Sequence, residues 1–160
     1  MLTVKLICVG KLRESFYKDA FAEYAKRLGG YCRFECLELP EQRLGDAPSA
    51  SEIAAALERE GAEILKAVPD GAALIALCVE GKTLTSEELA RRLGDWALSG
   101  RSRLCFVIGG SFGLSPAVKA RAELRLSMSA MTFPHHLARV MLAEQLYRGF
   151  KINEGSRYHK

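Results

Sequence analysis

Apolar and polar positions change their period several times along the chain, and each change marks an element. Leu2 to Val9 is a short β-branched run closed by Gly10, which predicts a first strand. From Leu12 to Leu28, Phe16, Ala20, Phe21, Tyr24 and Leu28 recur three and four apart with charges between them, the spacing of one helix face, and Gly29-Gly30 supplies the stop. Tyr31 to Leu39 alternates as a second strand ended by Pro40, and Glu41 to Ala50 reads as the long polar loop. Ser51 with Glu52 opens a second amphipathic helix through Val68. Ala72 to Val79 is uninterrupted, the pattern of a strand buried on both faces; after Glu80-Gly81-Lys82, Thr85 and Glu88 form a capping box that starts a third helix. Leu104 to Ile108 is another such strand. A glycine loop follows, then a short helix from Pro116, a strand over Leu124 to Met128, and a long helix from about Pro134 to Phe150.

Strands alternating with helices at this density predict an α/β fold, a mostly parallel sheet with helices on both faces. With 160 residues the chain supports one domain, residues 1–160, and one core without disulfide or metal. Ligands of such sheets bind beyond the carboxyl ends of the strands, so the informative loops follow Val79, Ile108 and Met128.

Apolar runs are far shorter than the ~18–20 residues that span a bilayer, and Met1 to Lys5 lacks the h-region of a signal peptide; a cytoplasmic location is expected, with no membrane partner. Five cysteines suit no disulfide framework, and Cys8, Cys78 and Cys105 sit inside apolar runs as expected core thiols. Charge is divided unevenly. Residues 1–99 carry 13 Lys or Arg against 16 Asp or Glu, a net of −3, whereas residues 100–160 carry 10 against 3, a net of +7. A basic last third points to a polyanionic partner, or to surface charge balanced in three dimensions.

Familiar motifs mostly fail. Gly81-Lys82-Thr83 imitates the end of a P-loop, but Ala76 stands where the first glycine belongs and Leu77-Cys78-Val79 is strand interior. Gly109-Gly110-Ser111-Phe112-Gly113 has the wrong spacing for a dinucleotide fingerprint, yet three glycines at a strand's carboxyl end let the backbone approach a ligand closely. Cys32 and Cys36 have no second ligand pair nearby, so no metal is expected; no G-x-S-x-G elbow is present, and His135 after Pro134 reads as a helix-start or core histidine. The last helix places Leu142, Leu146 and Phe150 on a face that one small sheet is not expected to cover, which predicts a homodimer, and Glu144 with Arg148 forms an i,i+4 pair. Beyond it Arg157, Tyr158, His159 and Lys160 combine cations with groups able to stack or exchange protons.

The segments Ile108 to Ser115, Leu126 to His135, Ala143 to Arg148 and the closing Tyr158-His159 resemble the RlmH family, the ribosomal RNA large subunit methyltransferase H group of the SPOUT superfamily, and the resemblance runs from about Leu6 to Lys160. It implies a C-terminal trefoil knot, here over about 72–155, and a homodimer. It also implies S-adenosylmethionine as methyl donor and methylation at N3 of a pseudouridine in 23S rRNA of the assembled ribosome. The cofactor positions it implies are Leu77, Gly109 and the run Met128, Ser129, Ala130, Met131, Thr132 and Phe133. By chemistry, His159 is the expected general base, Tyr158 a stacking or hydrogen-bonding partner of the base, and Arg139 an electrostatic or phosphate contact in the catalytic set. Arg148, Arg157 and Lys160 are the expected RNA contacts. The competing readings are a basic ribosome-binding factor without catalysis, which would not bind the cofactor, and a nucleotide-binding metabolic enzyme, which would act without RNA.

Overall fold

In a computed structural model describing residues 1–160, five strands form one parallel sheet. They are β1 (Thr3–Val9), β2 (Arg33–Leu39), β3 (Ala73–Thr83), β4 (Arg103–Ile108) and β5 (Leu124–Ser127), in the order β2-β1-β4-β3-β5. The helices are α1 (Ser15–Leu28), α2 (Ala50–Ala67), α3 (Ser86–Leu98), α4 (Pro116–Arg121) and α5 (His135–Asn153). Side chains alternate across the sheet, so each strand feeds two cores. Val4, Leu6, Leu104 and Phe106 point to the side with Leu93 of α3 and Leu142 and Leu146 of α5, while Ile7, Val9, Cys105 and Val107 point to the side with Ile64 of α2 and Val118 of α4. Helix starts follow local chemistry. Ser49 with Glu52 caps α2, Thr85 with Glu88 caps α3, and the Ser115 hydroxyl accepts from the Val118 amide ahead of Pro116 in α4.

Three expectations change. The apolar run of β3 is buried only from Ala73 to Ala76; Leu77 and Cys78 are half-buried and Val79 is 60% exposed, so Cys78 is not a core thiol. The cause is a register break. Ala73 to Ala76 pair with β4, and Leu77 pairs with Leu126; the chain then loops out and returns with Lys82 beside the same Leu126 and Thr83 beside Ser127. Gly81 makes that return possible, because a Cβ there would come within 2.7 Å of the Arg125 carbonyl oxygen. Second, Leu142 and Leu146 are completely covered by the chain's own sheet and α3, so they present no open face to a partner. Third, half of the basic last third is neutralised: Arg101, Lys119, Arg139, Arg148 and Lys151 sit in ion pairs, which accounts for five of its ten cations.

Candidate functional site

At the carboxyl ends of β3, β4 and β5 a cavity of about 360 Å³ opens between three loops. Leu77, Gly109, Met128, Ser129, Met131 and Phe133 line it, bringing together six of the expected cofactor positions; Ala130 and Thr132 are exposed beside it and do not face it. The glycine loop is a tight turn. The Gly113 amide donates to the Gly110 carbonyl at 3.1 Å, with φ +83° at Gly113. Gly109 is required by this turn itself, since a Cβ there would collide with the Gly113 carbonyl, not with space in the cavity. Glu41 fastens the loop from outside, accepting from the Ser111 amide at 3.1 Å and its hydroxyl at 3.2 Å. On the opposite wall the Ser127 hydroxyl donates to the Ser129 carbonyl and the Ser129 hydroxyl accepts from the Met131 amide. The amides of Ser129, Ala130, Thr132 and Phe133 make no hydrogen bond within the chain, so a run of backbone donors stands beside an apolar cavity. Such a wall can bind a small ligand through main-chain groups, with Leu77 and Phe133 giving apolar contacts.

A larger cleft of about 1220 Å³ runs from this cavity past the carboxyl ends of β1 and β2 and shares Ser111, Phe112 and His135 with it. Lys11, Arg13, Lys18 and Arg43 border the cleft, exposed and outside the chain's ion pairs, alongside four carboxylates, Glu14, Glu38, Glu41 and Glu60, of which Glu14 and Glu38 face His136 and Arg139. None of the four cations was legible as a site residue, because they are scattered through the net-acidic part of the sequence and only the sheet order collects them.

Arg139 is not where a phosphate could reach it. It is 1% exposed, donates to Glu38 at 2.5 Å and to the Gly10 carbonyl at 3.1 Å, and so ties α5 to the ends of β1 and β2. Glu38 also accepts from the Leu12 amide at 3.1 Å. Burial alone would push the Glu38 carboxyl up, but hydrogen bonds from Arg139 and Leu12 pull it below the usual carboxylate range.

The tail is folded against α3 and α5, away from both hollows. Arg148 donates twice to Glu144, at 3.0 and 2.7 Å, and lies 4.8 Å from the centre of the Tyr158 ring. The Tyr158 hydroxyl also donates to Glu144 at 3.1 Å, and burial together with that carboxylate raises its pKa. His159 places Nδ1 3.2 Å from Arg148 and Nε2 2.8 Å from Glu87. Arginine only donates and an ionised carboxylate only accepts, so the neutral tautomer with its proton on Nε2 satisfies both contacts and leaves no free lone pair. Arg157 and Lys160 are exposed. A shallow apolar groove of about 440 Å³ beside this cluster includes Tyr24, Val140 and Met141 and shares Leu126, Ser127 and Met128 with the first cavity.

The chain matches, over residues 2–159, a family described as "Predicted SPOUT methyltransferase". It is similar to proteins named ribosomal RNA large subunit methyltransferase H: 50% identical to that of Streptococcus thermophilus, 47% to that of Bifidobacterium animalis and 43% to that of Clostridioides difficile, each over 99% of this chain and 100% of the relative. Among solved structures, a "probable methyltransferase" of Bordetella pertussis is similar with a TM-score of 0.55 at 18% identity, covering 91% of this chain and 95% of that one. A "probable methylase family protein" of Haemophilus influenzae is similar with a TM-score of 0.53 at 12% identity, covering 98% and 70%. At these identities the two structures bear on the fold alone.

Proposed function

The chain belongs to the ribosomal RNA large subunit methyltransferase H family of SPOUT methyltransferases, and from that membership we propose that it methylates N3 of a pseudouridine in the 23S rRNA of the assembled ribosome, with S-adenosylmethionine as donor. One observation carries the reading: a cavity with apolar walls and free backbone donors opens directly into a cleft bordered by four unpaired cations. Its volume falls within the ~300–1,000 Å³ of small-molecule sites. When bound, the donor supplies an electrophilic methyl carbon. The RNA base supplies the nucleophilic N3, and the chain supplies binding and alignment. Leu77 and Gly109 with Met128 to Phe133 hold the donor, Ala130 and Thr132 through their backbones; Lys11, Arg13, Lys18 and Arg43 hold RNA phosphates; and fixing the two reactants in line supplies most of the rate.

The reading includes a trefoil knot over about 72–155, which rests on membership of the family. It includes a homodimer as well. Because the tail lies outside its own cavity and cleft, Arg157, Tyr158, His159 and Lys160 serve the RNA site of the other protomer, and the groove beside Met141, continuous with the cavity, seats that protomer. No helix is long and apolar enough to cross a membrane, and no cluster of three or more His, Cys, Asp or Glu could hold a metal. A substrate in the ribosome supports a cytoplasmic location as part of this reading.

Calorimetric titration with S-adenosylmethionine, followed by mass-spectrometric location of the methyl group in ribosomes, tests the reading. A protein that binds no cofactor at high micromolar concentration fails it and leaves a non-catalytic ribosome-binding factor. Gly109→Ala is expected to weaken cofactor binding at least about tenfold, ~1.4 kcal/mol, while the protein still unfolds cooperatively, because the Gly113 turn must open; an unchanged Kd would refute the placement. Sedimentation at micromolar concentration should show a dimer that Met141→Glu dissociates, and an active monomer would remove the dimer from the proposal.

A further inference from the structure

We infer that His135 Nε2 meets the acceptor base and takes the proton from N3, an assignment that rests on the methyl-transfer reading above. His135 lies in the wall common to the cofactor cavity and the cleft, where the acceptor base must approach the donor. Its Nε2 is buried and has no hydrogen-bond partner. The chain's other buried side-chain nitrogens without partners belong to Arg101, which spends Nη2 on Glu123, and Arg139, which spends both terminal nitrogens on Glu38 and the Gly10 carbonyl, so His135 alone of the three makes no side-chain hydrogen bond. Nε2 is closed off in the free chain, so it meets the base only after the ring turns towards the shared wall; a buried polar atom left unpaired is costly and rare, and the partner that arrives with the substrate offsets that turn.

The surroundings favour an uncharged ring. His136 stacks edge-on at 4.3 Å between ring centres and Arg139 lies one turn along α5, while Glu14, ahead of α1, and Glu41, in the loop after β2, face it with the opposite sign. Glu38 of β2 is already committed to Arg139. Burial lowers the pKa of His135 and His136 and Arg139 push it the same way against the two carboxylates, so a lone pair is available at neutral pH. His159, whose two ring nitrogens are engaged, is left to orient the RNA.

In the step so assigned, Nε2 accepts the N3 proton, the N3 electron pair forms the bond to the sulfonium methyl carbon, and the carbon–sulfur pair remains on sulfur as a neutral thioether. The imidazolium then returns its proton to the cleft. His135→Ala is expected to lower the single-turnover rate on ribosomes about 100-fold or more at pH 7, with cofactor Kd nearly unchanged. Its rate should rise with pH towards the ionisation of N3, whereas the wild-type rate levels off above the histidine pKa; His135→Gln should not rescue. Independently of turnover, the His135 imidazole signals in nitrogen-15 spectra should shift when millimolar uridine monophosphate is added with S-adenosylhomocysteine present. Full activity of His135→Ala, a loss equal at every pH and rescued by Gln, or unmoved His135 signals would overturn the assignment. Wild-type protein unable to methylate ribosomes would instead overturn the proposed function.

Discussion

Deleting Arg157 to Lys160 is expected to cut methyl transfer to ribosomes by at least about 100-fold, the cost of misplacing a reactant by roughly an ångström, while cofactor affinity stays nearly intact. The tail touches neither wall of the cofactor cavity, so its loss has no route to the donor. Folding should also survive. The deletion takes Tyr158 away from Glu144 and Tyr147, and His159 away from Glu87 and Arg148, on a surface where exposed ion pairs are worth about 0–1 kcal/mol each. Arg148 keeps Glu144 without them. The truncated protein should therefore show a normal melting transition, a normal cofactor titration and almost no methylated ribosomes. His159→Ala separates orientation from proton transfer: with His135 as acceptor the loss should be the same at every pH, and a rate that recovers at high pH would return the base to the tail. Loss of Arg157 and Lys160 should also flatten the salt dependence of ribosome binding, because phosphate contacts release counterions. A truncated enzyme with full activity would sever the tail from the RNA site.

Period and punctuation made most of the fold legible. Thr85 with Glu88 and the glycines after Leu28 mark element ends by chemistry that acts within a turn, and the structure keeps them. Differences arise where a local pattern has two physical outcomes. Ser51 has the side chain to open α2, but the capping geometry belongs to Ser49, whose hydroxyl accepts from the Glu52 amide while Glu52 reaches back. Glu80-Gly81-Lys82 has the composition of a turn and is instead the tip of an excursion that returns to the same strand, which no local period can encode. α5 continues to Asn153, past the last apolar residue of its stripe, because Asn153 donates to the Ala90 carbonyl of α3.

The site was legible where one segment supplies it and illegible where topology assembles it. The cofactor wall is contiguous in sequence from Met128 to Phe133 and could be read directly. Cleft cations come from the ends of β1 and β2, the start of α1 and the loop after Pro40, and net charge by segment pointed away from them. Net charge misled in the other direction too, since half the cations of the last third are paired with carboxylates, several of them distant in sequence.

Arg139 shows the same limit and leads to the second large effect. Glu38→Ala is expected to destabilise the protein by about 3–5 kcal/mol in chemical denaturation, the usual cost of stranding one member of a buried pair. The guanidinium is nearly inaccessible, with 2% of its side chain exposed, whereas the Glu38 side chain is 35% exposed, so the penalty is asymmetric. Arg139→Met leaves a carboxylate that water can reach and that keeps the Leu12 amide, and should cost less. The double variant Glu38→Ala with Arg139→Met should recover part of the Glu38→Ala loss, because it removes the stranded charge. The Glu38 carboxyl is held below its ordinary value in the folded state, so its contribution is fully present above the unfolded pKa and fades as pH falls through the folded one. Wild type should therefore lose more stability on acidification than the double variant does. The pair also anchors the first turns of α5 against β1 and β2, placing His135 one turn before Arg139 at the cavity wall. Arg139→Met should for that reason slow methyl transfer even at temperatures where it is fully folded. A Glu38→Ala protein as stable as wild type would show that the guanidinium finds another partner, and the view of α5 as a helix held by its one buried charge would have to be abandoned.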